Sequence, residues 1–72
     1  MSTTERYFVT GMTCAHCVAA VTQEVGALTG VSAVAIDLVV GGASKVTVTS
    51  AAPLPVDSVR VAIDEAGYTL AE

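Results

Sequence analysis

The spacing of apolar positions along this chain switches between two residues and three or four, and each switch marks a change of element. Residues 5–10 alternate, with Tyr7 and Val9 on one face and Arg6, Phe8 and Thr10 on the other, which predicts a strand. Phe8 then lies on an exposed sheet face or under a second cover. Gly11 breaks the alternation and lets the chain turn. From about residue 15 to 28 the period is helical: Val18, Val21, Val25 and Leu28 recur three or four residues apart. Thr22, Gln23 and Glu24 make the outer face. Thr13 or Cys14 is the expected N-cap, a threonine hydroxyl there taking up an orphan N–H, and Gly30 is the expected terminator.

A second strand is expected over residues 31–39, with Val34, Ile36 and Leu38 alternating against Ala33, Ala35 and Asp37. Gly41-Gly42-Ala43-Ser44 reads as a flexible hairpin connection. Residues 45–49 follow as a third strand, β-branched at every position after the lysine. Pro53 and Pro55 make residues 50–55 a connector. A second helix is expected over residues 56–66, burying Val59, Ala62, Ile63 and Ala66. Asp57 suits the start of its dipole, whereas Asp64 and Glu65 oppose its end. Gly67 closes it, and residues 68–71 form a short last strand. The order βαββαβ predicts an α+β ferredoxin-like sandwich: a four-stranded antiparallel sheet with two helices on one face and water on the other.

Length and charge narrow the setting. Seventy-two residues make one small domain, and with aromatics scarce its core must come from Val, Ala, Leu and Ile. A net charge of -4, with Arg6, Lys45 and Arg60 scattered, argues against nucleic-acid or anionic-membrane partners. No apolar run approaches the ~18 residues of a membrane span, and the polar opening residues do not read as a signal peptide. A cytoplasmic, reducing location is the expectation, and a free dithiol survives there.

Both cysteines and the one histidine fall in Gly11-Met12-Thr13-Cys14-Ala15-His16-Cys17, where a strand hands over to a helix. A Cys-x-x-Cys pair there can cycle between dithiol and disulfide, or hold a soft metal ion between two thiolates. The helix N-terminus favours thiolate, for Cys17 in the first turn more than for Cys14 on the loop. Zinc wants four ligands, and no second pair exists, so a soft monovalent ion such as Cu(I) fits better. Adjacent helical residues diverge by about 100°, so His16 is expected to point away from the sulfurs. Its alternative uses are as a third, accessory copper ligand or as a ligand in a metal-bridged dimer. Met12 reads as core filler rather than a thioether donor. Glu24, Asp37, Asp64 and Glu65 lie on separate elements, so no acid–base pair or triad is read and no enzyme is expected.

Gly11-Met12-Thr13-Cys14-x-x-Cys17, with Ala66-Gly67-Tyr68 after the second helix, resembles the heavy-metal-associated domain family, most of all its small bacterial copper chaperones. The likeness runs over residues 7–70 and implies that residues 1–72 are a single such domain. It implies that Cys14 and Cys17 bind Cu(I) near the surface. They would pass it by ligand exchange to the metal-binding domain of a copper-transporting P-type ATPase. It further implies that Met12 packs inward beneath the loop and that Tyr68 comes near it. The apo protein is expected to be a monomer. Family members for zinc and cadmium often carry aspartate where Thr13 stands. Three other uses stay open: the N-terminal metal-binding module of such an ATPase, a thiol oxidoreductase, and a Hg(II) carrier. The tyrosine after Ala-Gly and an end just past the last strand favour a free chaperone over a module. The oxidoreductase is disfavoured by the short chain and by the lack of aromatic and proline neighbours at the motif. Mercury-binding relatives are normally exported. The scarcity of lysine departs from many chaperones, so this chain is expected to supply apolar area around the loop to a neutral or basic partner surface.

Overall fold

In the computed structural model, which describes residues 2–71, alternation and helical spacing resolve into six elements. They are β1 (Thr3–Thr10), α1 (Ala15–Gly26), β2 (Val31–Asp37), β3 (Ala43–Ser50), α2 (Val56–Glu65) and β4 (Thr69–Ala71). The strands form one antiparallel sheet in the order β2-β3-β1-β4. This is the expected ferredoxin-like α+β sandwich.

The core lies between the sheet and both helices. Val9, Val46, Val48 and Leu70 from the strands meet Val21 and Val25 of α1 and Val59, Ala62 and Ile63 of α2. Valine suits both sides of this contact, because its branched side chain is already stiff and loses little freedom on burial. The opposite sheet face stays open. Arg6 and Phe8 are exposed there, Phe8 between Lys45 and Ala71 of the neighbouring strands, which settles its position. On the same face Lys45 Nζ lies 3.7 Å from Asp37, a solvent-exposed pair that adds little to stability.

Several boundaries differ from the sequence expectation by one or two residues, and three of them, those nearest α1 and the β2–β3 connection, have a local reason. Helix α1 ends at Gly26 rather than running to Leu28; Ala27 caps it by donating its N–H to Gln23 O at 3.1 Å. Gly30 sits beyond that end, where its carbonyl accepts the Ala51 N–H at 2.8 Å on the way into β2. Strand β2 stops at Asp37, so Leu38 and Val39 leave the alternation and belong to the connection. Strand β3 in turn begins two residues early, at Ala43, because Ser44 is buried and its hydroxyl binds the connection itself. Ser44 Oγ accepts the Val39 N–H at 2.8 Å and donates to the Val39 carbonyl at 3.4 Å. The hairpin is therefore pinned rather than flexible.

The register decides what meets at one end of the sheet. Thr10 pairs with Ala43 on one side and with Thr69 on the other. The β1–α1 loop, the 38–42 hairpin and the α2–β4 junction consequently gather at the same end, with both cysteines among them.

Candidate metal centre

Two backbone devices shape the site. Gly11 turns the chain out of β1 at φ +92°, a conformation that a side chain would strain. Gly67, at φ +93°, ends α2: its N–H donates to Asp64 O at 2.9 Å, and the Tyr68 N–H donates to Ile63 O at 3.1 Å. That pair of bonds is a Schellman motif, which needs a left-handed residue after the cap. It delivers the Tyr68 ring to the cysteine loop, 3.6 Å from where a Cβ on Gly11 would stand.

Below the loop Met12 is 1% exposed, packed with the valines of the core. Cys14 is the N-cap of α1, with extended backbone. Its carbonyl accepts the N–H groups of Cys17 (3.1 Å) and Val18 (3.3 Å). Of the two N-caps expected, Thr13 or Cys14, it is Cys14 that takes the position, and no side chain makes a cap bond. Thr13 turns to Cys17 instead: its N–H donates to Cys17 Sγ at 3.5 Å and its hydroxyl lies 3.8 Å from the same sulfur.

The two thiols are free, and their sulfurs are 3.6 Å apart. They are not equivalent. Cys14 is exposed, whereas Cys17 is 6% exposed and sits against the core. The Cys17 pKa is pulled from 9.0 to about 6, first by the Thr13 N–H. The Tyr68 hydroxyl comes next, and the Cys14 N–H and Thr13 hydroxyl add to it against the cost of desolvation. The leading donors are thus a loop N–H before the helix and a hydroxyl from across the site, not the free N–H groups anticipated in the first helical turn. The same contact pushes the Tyr68 hydroxyl above its ordinary range, because donating to the sulfur holds its proton; burial and the charges of Cys17 and Cys14 act the same way.

A lowered thiol pKa means thiolate at neutral pH. Followed by thiolate ultraviolet absorbance, one equivalent of the reduced protein should ionise with a midpoint near pH 6. Tyr68→Phe should move that midpoint upward, since a donor to the thiolate is lost. An unmoved midpoint would show that Tyr68 does not reach the sulfur in solution.

His16, the second residue of α1, is exposed. Among the described residues no group of three His, Cys, Asp or Glu side chains is gathered, so His16 does not join the two sulfurs. The structure therefore brings together Cys14, Cys17 and Tyr68 over Met12 and leaves His16 outside. Thr13 is the functional neighbour that sequence reasoning missed. A residue four before a first-turn cysteine can turn its N–H onto that sulfur, and the expectation of a cap hid this use.

Residues 6–69 match the model of the heavy-metal-associated domain. The chain belongs to this family. The domain is 42% identical over 62 residues to the COP-associated protein of Helicobacter felis, covering 86% of this chain and 89% of that one. It is 45% identical over 65 residues to the copper chaperone CopZ of Bacillus subtilis, covering 89% of this chain and 90% of that one. Among solved structures, a CopZ metallochaperone superposes with a TM-score of 0.82 at 28% identity, over 96% of this domain and all of that chain. A CsoZ metallochaperone at 22% identity, with a TM-score of 0.80, shows the same fold.

Proposed function

We propose that this heavy-metal-associated domain, residues 1–72 acting as one unit, is a cytoplasmic metallochaperone for Cu(I). It delivers the ion by thiolate exchange to the metal-binding domain of a copper-transporting P-type ATPase. The observation that carries this reading is the unequal sulfur pair, 3.6 Å apart, one exposed and one set against the core with the Thr13 N–H directed onto it. The copper chaperone named among its relatives supports the choice of metal.

Metal–thiolate bonds run to about 2.3 Å, so a bent two-sulfur site needs almost no movement from this spacing. A linear one needs the sulfurs to part by about 1 Å, which a small rotation of the exposed Cys14 side chain provides. An ion held by two thiolates keeps room for a third. An acceptor thiolate approaches from the Cys14 side, forms a three-coordinate intermediate and displaces Cys14 first. Cys17, held by the Thr13 N–H, leaves last. Copper changes owners without release to water, and no redox step is required. Among the described residues no helix is long and apolar enough to cross a membrane.

An anaerobic Cu(I) titration of the reduced protein against a chromophoric Cu(I) chelator tests the reading. One equivalent bound in competition, then lost to a copper-ATPase metal-binding domain on mixing, is the expected result. Failure to compete with an intact dithiol would remove copper and leave the oxidoreductase and Hg(II) uses. His16→Ala should leave the Cu(I) affinity of the monomer nearly unchanged in the same assay, since the side chain stands apart from the sulfurs. A large loss would make it a ligand.

A further inference from the structure

Hairpin tips in soluble domains usually carry glycine, asparagine and aspartate, and runs of exposed apolar residues there are avoided unless they serve contact. This hairpin has its turn glycines, Gly41 and Gly42, but sets three apolar residues directly before them. Leu38, Val39 and Val40 are consecutive in the 38–42 connection and are 38%, 46% and 65% exposed. The middle one, Val39, is also fixed in place through its backbone. Ser44 holds both the N–H and the carbonyl of Val39, and the Gly42 N–H donates to the same carbonyl at 3.3 Å. A Cβ on Gly42 would fall 3.0 Å from Val39 Cγ1, so the valine lies directly over the glycine. A buried serine spent on a surface turn makes a preorganised apolar knob, which loses little freedom on binding.

The knob stands at the end of the sheet that holds the cysteines. Ala43, the first residue after it, pairs with Thr10, the last before Gly11. Any protein that brings a thiolate to the exposed Cys14 has to seat over this end. The charges here are mainly acidic: Asp64 and Glu65 are exposed at the close of α2, and Asp37 ends β2 with Lys45 paired to it at 3.7 Å. A second copy of this chain would set those acids against themselves, at a net charge of -4 each.

We infer that Leu38, Val39 and Val40 anchor the metal-accepting domain, whose own apolar patch is rimmed by lysine or arginine. The inference rests on the copper-transfer reading and adds the surface that recognises the acceptor. The knob supplies the desolvated centre of the contact and the acids its orientation, the usual division at interfaces. The site loop then supplies transfer rather than affinity.

The test compares Cu(I)-loaded wild-type protein with Val40→Ser and with Leu38→Ser/Val40→Ser. The acceptor is a copper-ATPase metal-binding domain with lysines or arginines beside its Cys-x-x-Cys loop; the control acceptor is a small chromophoric chelator. Transfer to the domain should slow by about tenfold or more for the double variant, with chelator transfer and Cu(I) affinity unchanged. The wild-type rate should also fall as salt rises. Wild-type rates in both variants would overturn the anchor while leaving the chaperone reading in place. Equal slowing toward the chelator would overturn it too, by locating the effect in the metal loop. A wild-type protein that binds copper but passes none to the domain would defeat the transfer reading and the anchor with it. Sedimentation showing a wild-type dimer that the double variant loses would assign the knob to a second copy instead.

Discussion

Cys14→Ser and Cys17→Ser are each expected to lower Cu(I) affinity by more than about 100-fold, since altering residues that merely support a ligand already costs about 10–100-fold. Serine's hydroxyl stays protonated at neutral pH and is a hard donor, so a soft monovalent ion is left with one thiolate. The two variants should differ in everything except that loss. Cys14 is exposed and its sulfur meets the other site sulfur rather than the core, so its serine variant should melt close to the wild type. Cys17 is packed against the core and accepts the Thr13 N–H, so its variant should show a lowered Tm as well. Circular dichroism through the melt and the competition titration read the two effects separately. Tight binding retained in both single variants would sink the two-thiolate site.

The fold was legible because its signals are local and repeated. Val46 and Val48 alternate in a run of β-branched residues, and Val18, Val21 and Val25 keep a helical period; neither pattern has a competing reading. Boundaries were less legible. Leu38 continues the alternation of Val34 and Ile36 in the sequence, yet β2 ends before it, because the connection is fixed by a serine six residues further on. That contact belongs to tertiary structure and leaves no periodic trace. The cysteines were visible from spacing alone, and their inequality followed from their places before and within the first helical turn. The donors that set it were not visible. Thr13 looked like a cap, the residue type most favoured there, but in the fold its hydroxyl and its N–H both turn toward Cys17 sulfur. Tyr68 reaches the site from across the chain through the Gly67 turn, and only the family likeness had pointed to it.

Met12→Ala is expected to destabilise the domain by about 2–5 kcal/mol, the usual range for truncating a fully buried methionine. Met12 is the largest of the fully buried side chains and is 1% exposed, so little relaxation can fill the void. Against a total of about 5–15 kcal/mol this is a large fraction. At about 4–8 °C per kcal/mol for a domain this small, the Tm should fall by about 8 °C or more. Met12→Leu keeps the volume and should cost less than about 1.5 kcal/mol. That second variant separates packing from ligation, because leucine restores the floor of the loop but has no sulfur. Cu(I) affinity at wild-type level in Met12→Leu, together with a low Tm in Met12→Ala, would establish the methionine as the support that keeps Thr13 and Cys14 above the core. A loss of affinity in the well-folded leucine variant would instead make the thioether a donor, and the site would no longer be held by two sulfurs alone.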